Sequence, residues 1–261
     1  MRTLRRPADG PVLRIGHRGA AAVLPENTLH SFGRAIELGV DFVEFDVLGL
    51  SDGTLVVAHS DDLREVSHGA AAGRVAGLTL GQLRGVAPEL PTFEQALDFF
   101  ATREVGLHVD VKARGRGADV AAALGRHDLL GRSVVSSFWP QTLREVRHAE
   151  PELAVGLTYP EDRHGLARRR PLAPLVLPAL AFLNRTLPPR LPRLLDAVGA
   201  NVAMLHHGVV SGAAVDRCHS RGAAVWVWTV NDGHLLERLV GLGVDGVVTD
   251  DPRIFRARLA S

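Results

Sequence analysis

Two stretches of this sequence set charged residues where a β-strand would bury them. They are Phe42-Val43-Glu44-Phe45-Asp46-Val47 and His108-Val109-Asp110-Val111-Lys112. A strand's period of two points Glu44 and Asp46 to one face, and Asp110 and Lys112 likewise to one face. Unpaired buried carboxylates cost several kcal/mol each unless a cation compensates. Either they form salt bridges with arginines, or they build an oxygen-ligand site for a hard cation such as Mg2+ or Ca2+. Lys112 is the only lysine of the chain, every other side chain of its class being arginine. A compact ammonium at that position suits a phosphate oxygen or a carboxylate. Two histidines complete the set: His17, in Gly16-His17-Arg18-Gly19, and His59, which closes the run Leu55–His59. Beside three carboxylates and a metal they form the parts of acid–base phosphoryl chemistry. One takes the proton of an attacking hydroxyl or water, and the other protonates the leaving oxygen. Arg18, Lys112 and the cation would balance charge developing on phosphorus. Further along, Trp226 and Trp228 share a strand face. Trp226 reads as core and Trp228, at the strand's end, as an apolar wall of a pocket. Thr249 and Asp250 read as caps of the final helix.

These residues need a scaffold that brings strand ends together. β-rich runs at Val12–Gly16, Phe42–Leu48, Gly106–Val111, Ser133–Ser136, Ala154–Leu157, Val202–His206, Ala223–Thr229 and Gly246–Val248 alternate with helical patterns. The helical patterns fall at Thr28–Leu38, Phe93–Ala101, Ala118–Leu124, Gln141–His148, Gly212–Ser220 and Asn231–Leu242. Such alternation over 261 residues predicts one α/β domain spanning 1–261, a TIM (β/α)8 barrel whose site lies at the C-terminal ends of its strands. No G-x-G-x-x-G follows a strand, which sets aside a doubly wound sheet.

Two segments interrupt the rhythm. The turn signal Ser51–Thr54 leads into Leu55–His59 and a Gly/Ala-rich stretch, Ser60–Leu90, so an insertion is expected over about residues 53–90. The second segment, about residues 160–195, holds Arg163, Arg168, Arg169, Arg170, Arg185, Arg190 and Arg193, with no acid between Asp162 and Asp196. Its apolar centre, residues 171–183, is too short to span a membrane and carries three prolines, which should prevent a long regular amphipathic helix. The composition permits a basic lip, over about 165–193, that rests on an anionic membrane surface; a dimer contact or a lid would have the same composition.

Composition narrows the classes further. Thirty Lys+Arg against 29 Asp+Glu leave a net charge of +1, with no basic surplus for nucleic acid. A single cysteine, Cys218, excludes a disulfide framework. The N-terminal arginines precede no apolar run, so a cytoplasmic enzyme, at most peripheral to a membrane, is expected.

In order along the chain, His17-Arg18-Gly19, Pro25-Glu26-Asn27-Thr28, Glu44-x-Asp46, Val56–His59, Asp110-x-Lys112, Ser137-Phe138, Trp228-Thr229-Val230-Asn231 and Gly243–Pro252 resemble the glycerophosphodiester phosphodiesterase family. The resemblance implies a TIM barrel with a small insertion after the second strand, one divalent cation, and hydrolysis of glycerophosphodiesters to glycerol 3-phosphate and an alcohol. Carried over by position, it implies Glu44, Asp46 and Asp110 as metal ligands and His17 and His59 as the acid–base pair. Arg18 and Lys112 would contact the phosphate, and Trp228 would wall the glycerol carbons. The sequence departs from the family pattern in having Ser60 after His59, where the family usually has Asp, with Asp61 as a substitute. Asp110 stands where Glu is common, and His108, on the same face, reads as a supporting or core residue. A lipid phosphodiesterase acting on lysophospholipids and an inactive phosphodiester-binding barrel are the competing readings.

Overall fold

Each apolar run predicted as a barrel strand forms one in the computed structural model, which describes residues 3–7, 10–160 and 173–258. The strands are β1 (Leu13–Gly16), β2 (Phe42–Gly49), β3 (Leu55–Val57), β4 (Gly106–Val111), β5 (Ser133–Ser137), β6 (Ala154–Tyr159), β7 (Val202–His206), β8 (Ala224–Trp228) and β9 (Gly246–Thr249). All pair in parallel around a closed ring, β1 meeting both β9 and β2, except β3, which lies antiparallel outside the ring on β2. This is a TIM barrel.

The helices are α1 (Leu29–Glu37), α2 (Leu63–Val66), α3 (Leu80–Arg84), α4 (Phe93–Ala101), α5 (Gly117–Arg126), α6 (Pro140–Ala149), α7 (Ala173–Thr186), α8 (Leu191–Asp196), α9 (Gly212–His219) and α10 (Gly233–Gly241). Their starts follow from capping side chains. Thr28, Thr92, Ser211 and Asp232 each accept a hydrogen bond from the backbone three residues on.

Alternation along β2 shows how the barrel sorts its residues. Val43, Phe45 and Val47 face the helices, where Phe45 stacks on Phe100 at 5.4 Å. Phe42 points into the barrel and meets Trp226 edge-on at 4.8 Å. Trp226 is wholly buried, the core residue expected. Glycine supplies the room for this plug: a Cβ on Gly106 would lie 2.4 Å from the Phe42 ring, and one on Gly246 2.7 Å from Trp226. Above the plug, Glu44 and Asp46 continue the inward face toward the strands' C-terminal ends.

The insertion after β2 packs β3, α2 and α3 over a small core of its own, with Leu48, Val56, Leu63, Val75 and Leu83. Strand β3 ends at Val57 rather than His59, although the Ala58 amide still donates to Asp46 O at 3.1 Å.

The second interruption corrects one expectation. Despite its prolines, residues 173–186 form a helix of 14 residues. Pro174 falls in the first turn, where a missing N–H costs nothing, and Pro178 forfeits a single internal hydrogen bond. The helix is held from below, Asn184 donating to Val210 O at 2.9 Å, so packing outweighs the local penalty. Arg163, Arg168, Arg169 and Arg170 lie outside the described residues. Among the described residues no helix is long and apolar enough to cross a membrane.

Candidate active site

The β1–α1 loop opens the site. Gly16 ends β1, and the chain turns through Arg18 with φ 50°, a left-handed conformation that L side chains seldom adopt. Several bonds hold that strain in place. The Arg18 amide donates to Glu44 Oε2 at 2.8 Å and the Gly19 amide to Glu44 O at 3.2 Å. Ser31 Oγ and the Asn27 amide both donate to Arg18 O, at 3.0 and 3.1 Å. Strain of this kind persists where the surroundings over-determine it, commonly at functional sites.

Glu44, Asp46 and Asp110 converge, each offering a carboxylate oxygen within 4.8 Å of the others, and all three are buried. Lys112 Nζ bridges Asp46, at 2.9 Å from Oδ1, and Asp110 Oδ2. Asn27 Nδ2 donates to Asp46 Oδ2 at 3.0 Å. Arg18 Nε lies 3.1 Å from the same oxygen without making a hydrogen bond, so a buried donor is left over. On the far side, Ser136 Oγ donates to Asp110 Oδ1 at 2.6 Å and meets His108 Nε2 at 2.8 Å. His108 therefore reaches Asp110 through Ser136 and is not among the three clustered carboxylates.

The centre is dominated by negative charge, and the titrations reflect it. Burial first, and the Asp46 charge second, push the Glu44 carboxyl up to about 7. Burial would raise Asp46 as well, but Lys112 and Arg18 hold it well below the carboxylate range. A hard divalent cation fits this donor set, because three buried carboxylate oxygens face one another within 4.8 Å.

The two histidines are poised differently. His17 Nδ1 lies 2.5 Å from Asp250 Oδ1 and its Nε2 3.9 Å from Glu44 Oε2. Burial opposes its protonation, but the Glu44 charge and the Asp250 hydrogen bond outweigh that and raise its pKa. His59 Nδ1 lies 3.8 Å from Glu26 Oε1, and Glu26 Oε2 accepts from Arg18 Nη1 at 2.8 Å. Burial lowers His59 to about 4; Asp46 pulls it up, while Arg18 and Lys112 push it further down.

Two expectations change here. Asp250 does not cap the last helix: it holds His17, and Asn231 anchors it through both side chain and backbone. The cap falls to Asp251, which accepts from the Arg253 amide at 3.1 Å. Asp61 does not substitute beside His59, since its carboxylate binds Arg74 Nε at 2.6 Å and the Ala76 amide at 2.8 Å. The carboxylate that reaches the His59 ring is that of Glu26, at 3.8 Å from Nδ1. It lies within Pro25-Glu26-Asn27-Thr28, yet nothing local marks it as a partner of a histidine 33 positions on.

Trp228 ends β8. Its indole donates to Met204 O at 3.1 Å, and its ring meets Phe138 at 6.0 Å and His206 at 5.2 Å, both edge-on. Between the centre and the insertion is a cavity of about 390 Å³, lined by Arg18 and His59 and by Glu26, Glu65, His68 and Glu89. A cavity of similar size, between Thr54, Glu94, Arg116 and Arg126, shares none of these residues.

The pattern of the glycerophosphoryl diester phosphodiesterase family matches residues 17–254, from the first histidine to the turn after β9. The chain belongs to that family. It is thereby a hydrolase of glycerophosphodiesters. A glycerophosphodiester phosphodiesterase of Caldanaerobacter subterraneus subsp. tengcongensis is 27% identical over 256 residues, covering 92% of this chain and 94% of the relative. The fold is shared with a glycerophosphodiester phosphodiesterase of Parabacteroides distasonis, at TM-score 0.74 and 24% identity over 96% and 98% of the two chains. It is shared too with an Oleispira antarctica phosphodiesterase solved with the product sn-glycerol-3-phosphate, at TM-score 0.74 and 23% identity over 95% and 96%.

Proposed function

We propose that this chain hydrolyses glycerophosphodiesters to glycerol 3-phosphate and an alcohol, with His59 as base, His17 as acid and one divalent cation, Mg2+ or Ca2+, held by Glu44, Asp46 and Asp110. The observation that carries the reading is the opposite poise of two histidines beside one buried carboxylate cluster. Environments that push a pair of titratable groups apart assign the acid and the base. The product bound to the Oleispira antarctica structure supports glycerol 3-phosphate as the product here.

When bound, the cation supplies Lewis-acid stabilisation of a phosphoryl oxygen. The rest falls to the chain's own residues. Arg18 Nε, buried and without an acceptor, donates to a phosphate oxygen, and Lys112 adds a point charge from the other side. Neutral His59 removes the proton from the attacking oxygen, either water or the substrate's own glycerol hydroxyl. Protonated His17, held by Asp250, delivers a proton to the departing alcohol. The Trp228 ring packs against the glycerol carbons, as its place between Phe138 and His206 favours.

The test is release of glycerol 3-phosphate from glycerophosphocholine and glycerophosphoethanolamine, with Mg2+, with Ca2+ and with chelator. Metal-dependent release lost on chelation supports the reading. No release from either diester under any metal would reject it in favour of a lysophospholipid substrate.

A further inference from the structure

Large apolar side chains left in solvent are sparse on this molecule. Among the described residues they are Leu177, 76% exposed, and Phe182, 66% exposed, and both belong to α7. A single exposed leucine needs no explanation, but two large apolar residues concentrated on one helix mark a contact surface. The inner side of α7 is accounted for. Leu180 and Leu183 pack against the main core, and Asn184 bonds to Val210 O. The outer side presents Leu177, Pro178, Ala181 and Phe182, all exposed, on consecutive turns.

Charge continues the pattern. Arg185, at the end of α7, and Arg190 and Arg193, which follow it, are exposed, and no Asp or Glu occurs between residues 173 and 195. Several other surface arginines are neutralised, as Arg14 is by Asp41, Arg34 by Glu37 and Arg126 by Glu94. Among the described residues Arg185, Arg190 and Arg193 have no carboxylate partner. An apolar strip edged by uncompensated arginines is complementary to an anionic lipid surface, where headgroups meet the cations and acyl chains receive the apolar side chains.

The helix also sits in a useful place. It lies on the 3-10 turn His207–Val209, which continues from the C-terminal end of β7, where the His206 ring meets Trp228. A membrane touching α7 therefore lies beside the aromatic wall of the proposed substrate pocket.

We propose that the outer face of α7, with Arg185, Arg190 and Arg193, docks the enzyme on anionic membrane and brings the barrel mouth to lipid-derived phosphodiesters. The docking itself does not depend on the proposed reaction; only its benefit does. The test is co-sedimentation of the whole chain with vesicles of phosphatidylglycerol and phosphatidylcholine, and with vesicles of phosphatidylcholine alone. Binding is expected to the anionic vesicles, to weaken as salt rises, and to fall by roughly tenfold or more in Leu177→Ser/Phe182→Ser and in Arg185→Gln/Arg190→Gln/Arg193→Gln. Turnover of soluble glycerophosphocholine is expected to stay unchanged in both variants, which shows that they fold and keeps the reaction as a separate readout. Negligible binding by the wild-type chain, or binding that neither set of substitutions reduces, would overturn the proposal. So would a dimer in solution that Leu177→Ser/Phe182→Ser dissociates, since a second copy of the chain would then cover the face.

Discussion

His17 and His59 approach the same carboxylates from opposite supports, and they are almost equally shielded, with side chains 15% and 19% exposed. Burial lowers both, so burial is not what separates them. His17 stands where two barrel strands meet, with Glu44 on one nitrogen's side and Asp250 on the other's. His59 leaves the insertion's strand at a point where Arg18 and Lys112 counter the nearby acids. The sign of the surrounding charge therefore decides which imidazole keeps its proton. In the proposed assignment the barrel holds the proton donor, and the added hairpin brings the acceptor.

The contrast predicts unequal consequences. Replacing either histidine by alanine should cost about 10²–10⁴-fold in kcat/KM, the usual range for acid–base catalysis, while circular dichroism reports an intact fold. Next in size is Asp250→Asn. It removes a charge that keeps His17 protonated, so the basic limb of the pH–rate profile should move to lower pH, with activity falling by about tenfold. The sign follows from the pair: in the proposed mechanism the productive form has His59 neutral and His17 charged. Activity should fall as pH drops through about 4, and fall again as pH rises past the elevated His17 value. A basic limb unmoved in Asp250→Asn would remove Asp250 from the account. Glu26→Gln should act on both sides at once, freeing Arg18 and altering His59, and a change of a few-fold in both KM and kcat is expected.

Much of the centre was legible because it obeys a local rule. Glu44, Asp46, Asp110 and Lys112 share faces through the two-residue period of their strands, and barrel closure turns those faces to one axis. What escaped was non-local. Asp250 matched a helix-capping pattern, and only the pairing of β1 with β9 brings it to His17, 233 residues away in the chain. Glu26 reaches His59 through a loop with left-handed backbone at Arg18 and Asn27, which no side-chain periodicity signals. In α7 the proline rule was outweighed by the apolar inner face and by Asn184, contacts that exist only once β7 and its following turn are in place.

The division of labour between the histidines is the central claim, and a change of leaving group tests it most directly. From a glycerol phosphodiester of p-nitrophenol, nitrophenolate departs as a stable anion and needs no proton, whereas choline leaves as an alcohol. On the nitrophenyl ester His17→Ala should recover most of its lost rate, and His59→Ala should stay as impaired as on glycerophosphocholine. Equal impairment of both variants on both substrates would contradict the assignment, and recovery by His59→Ala alone would reverse it.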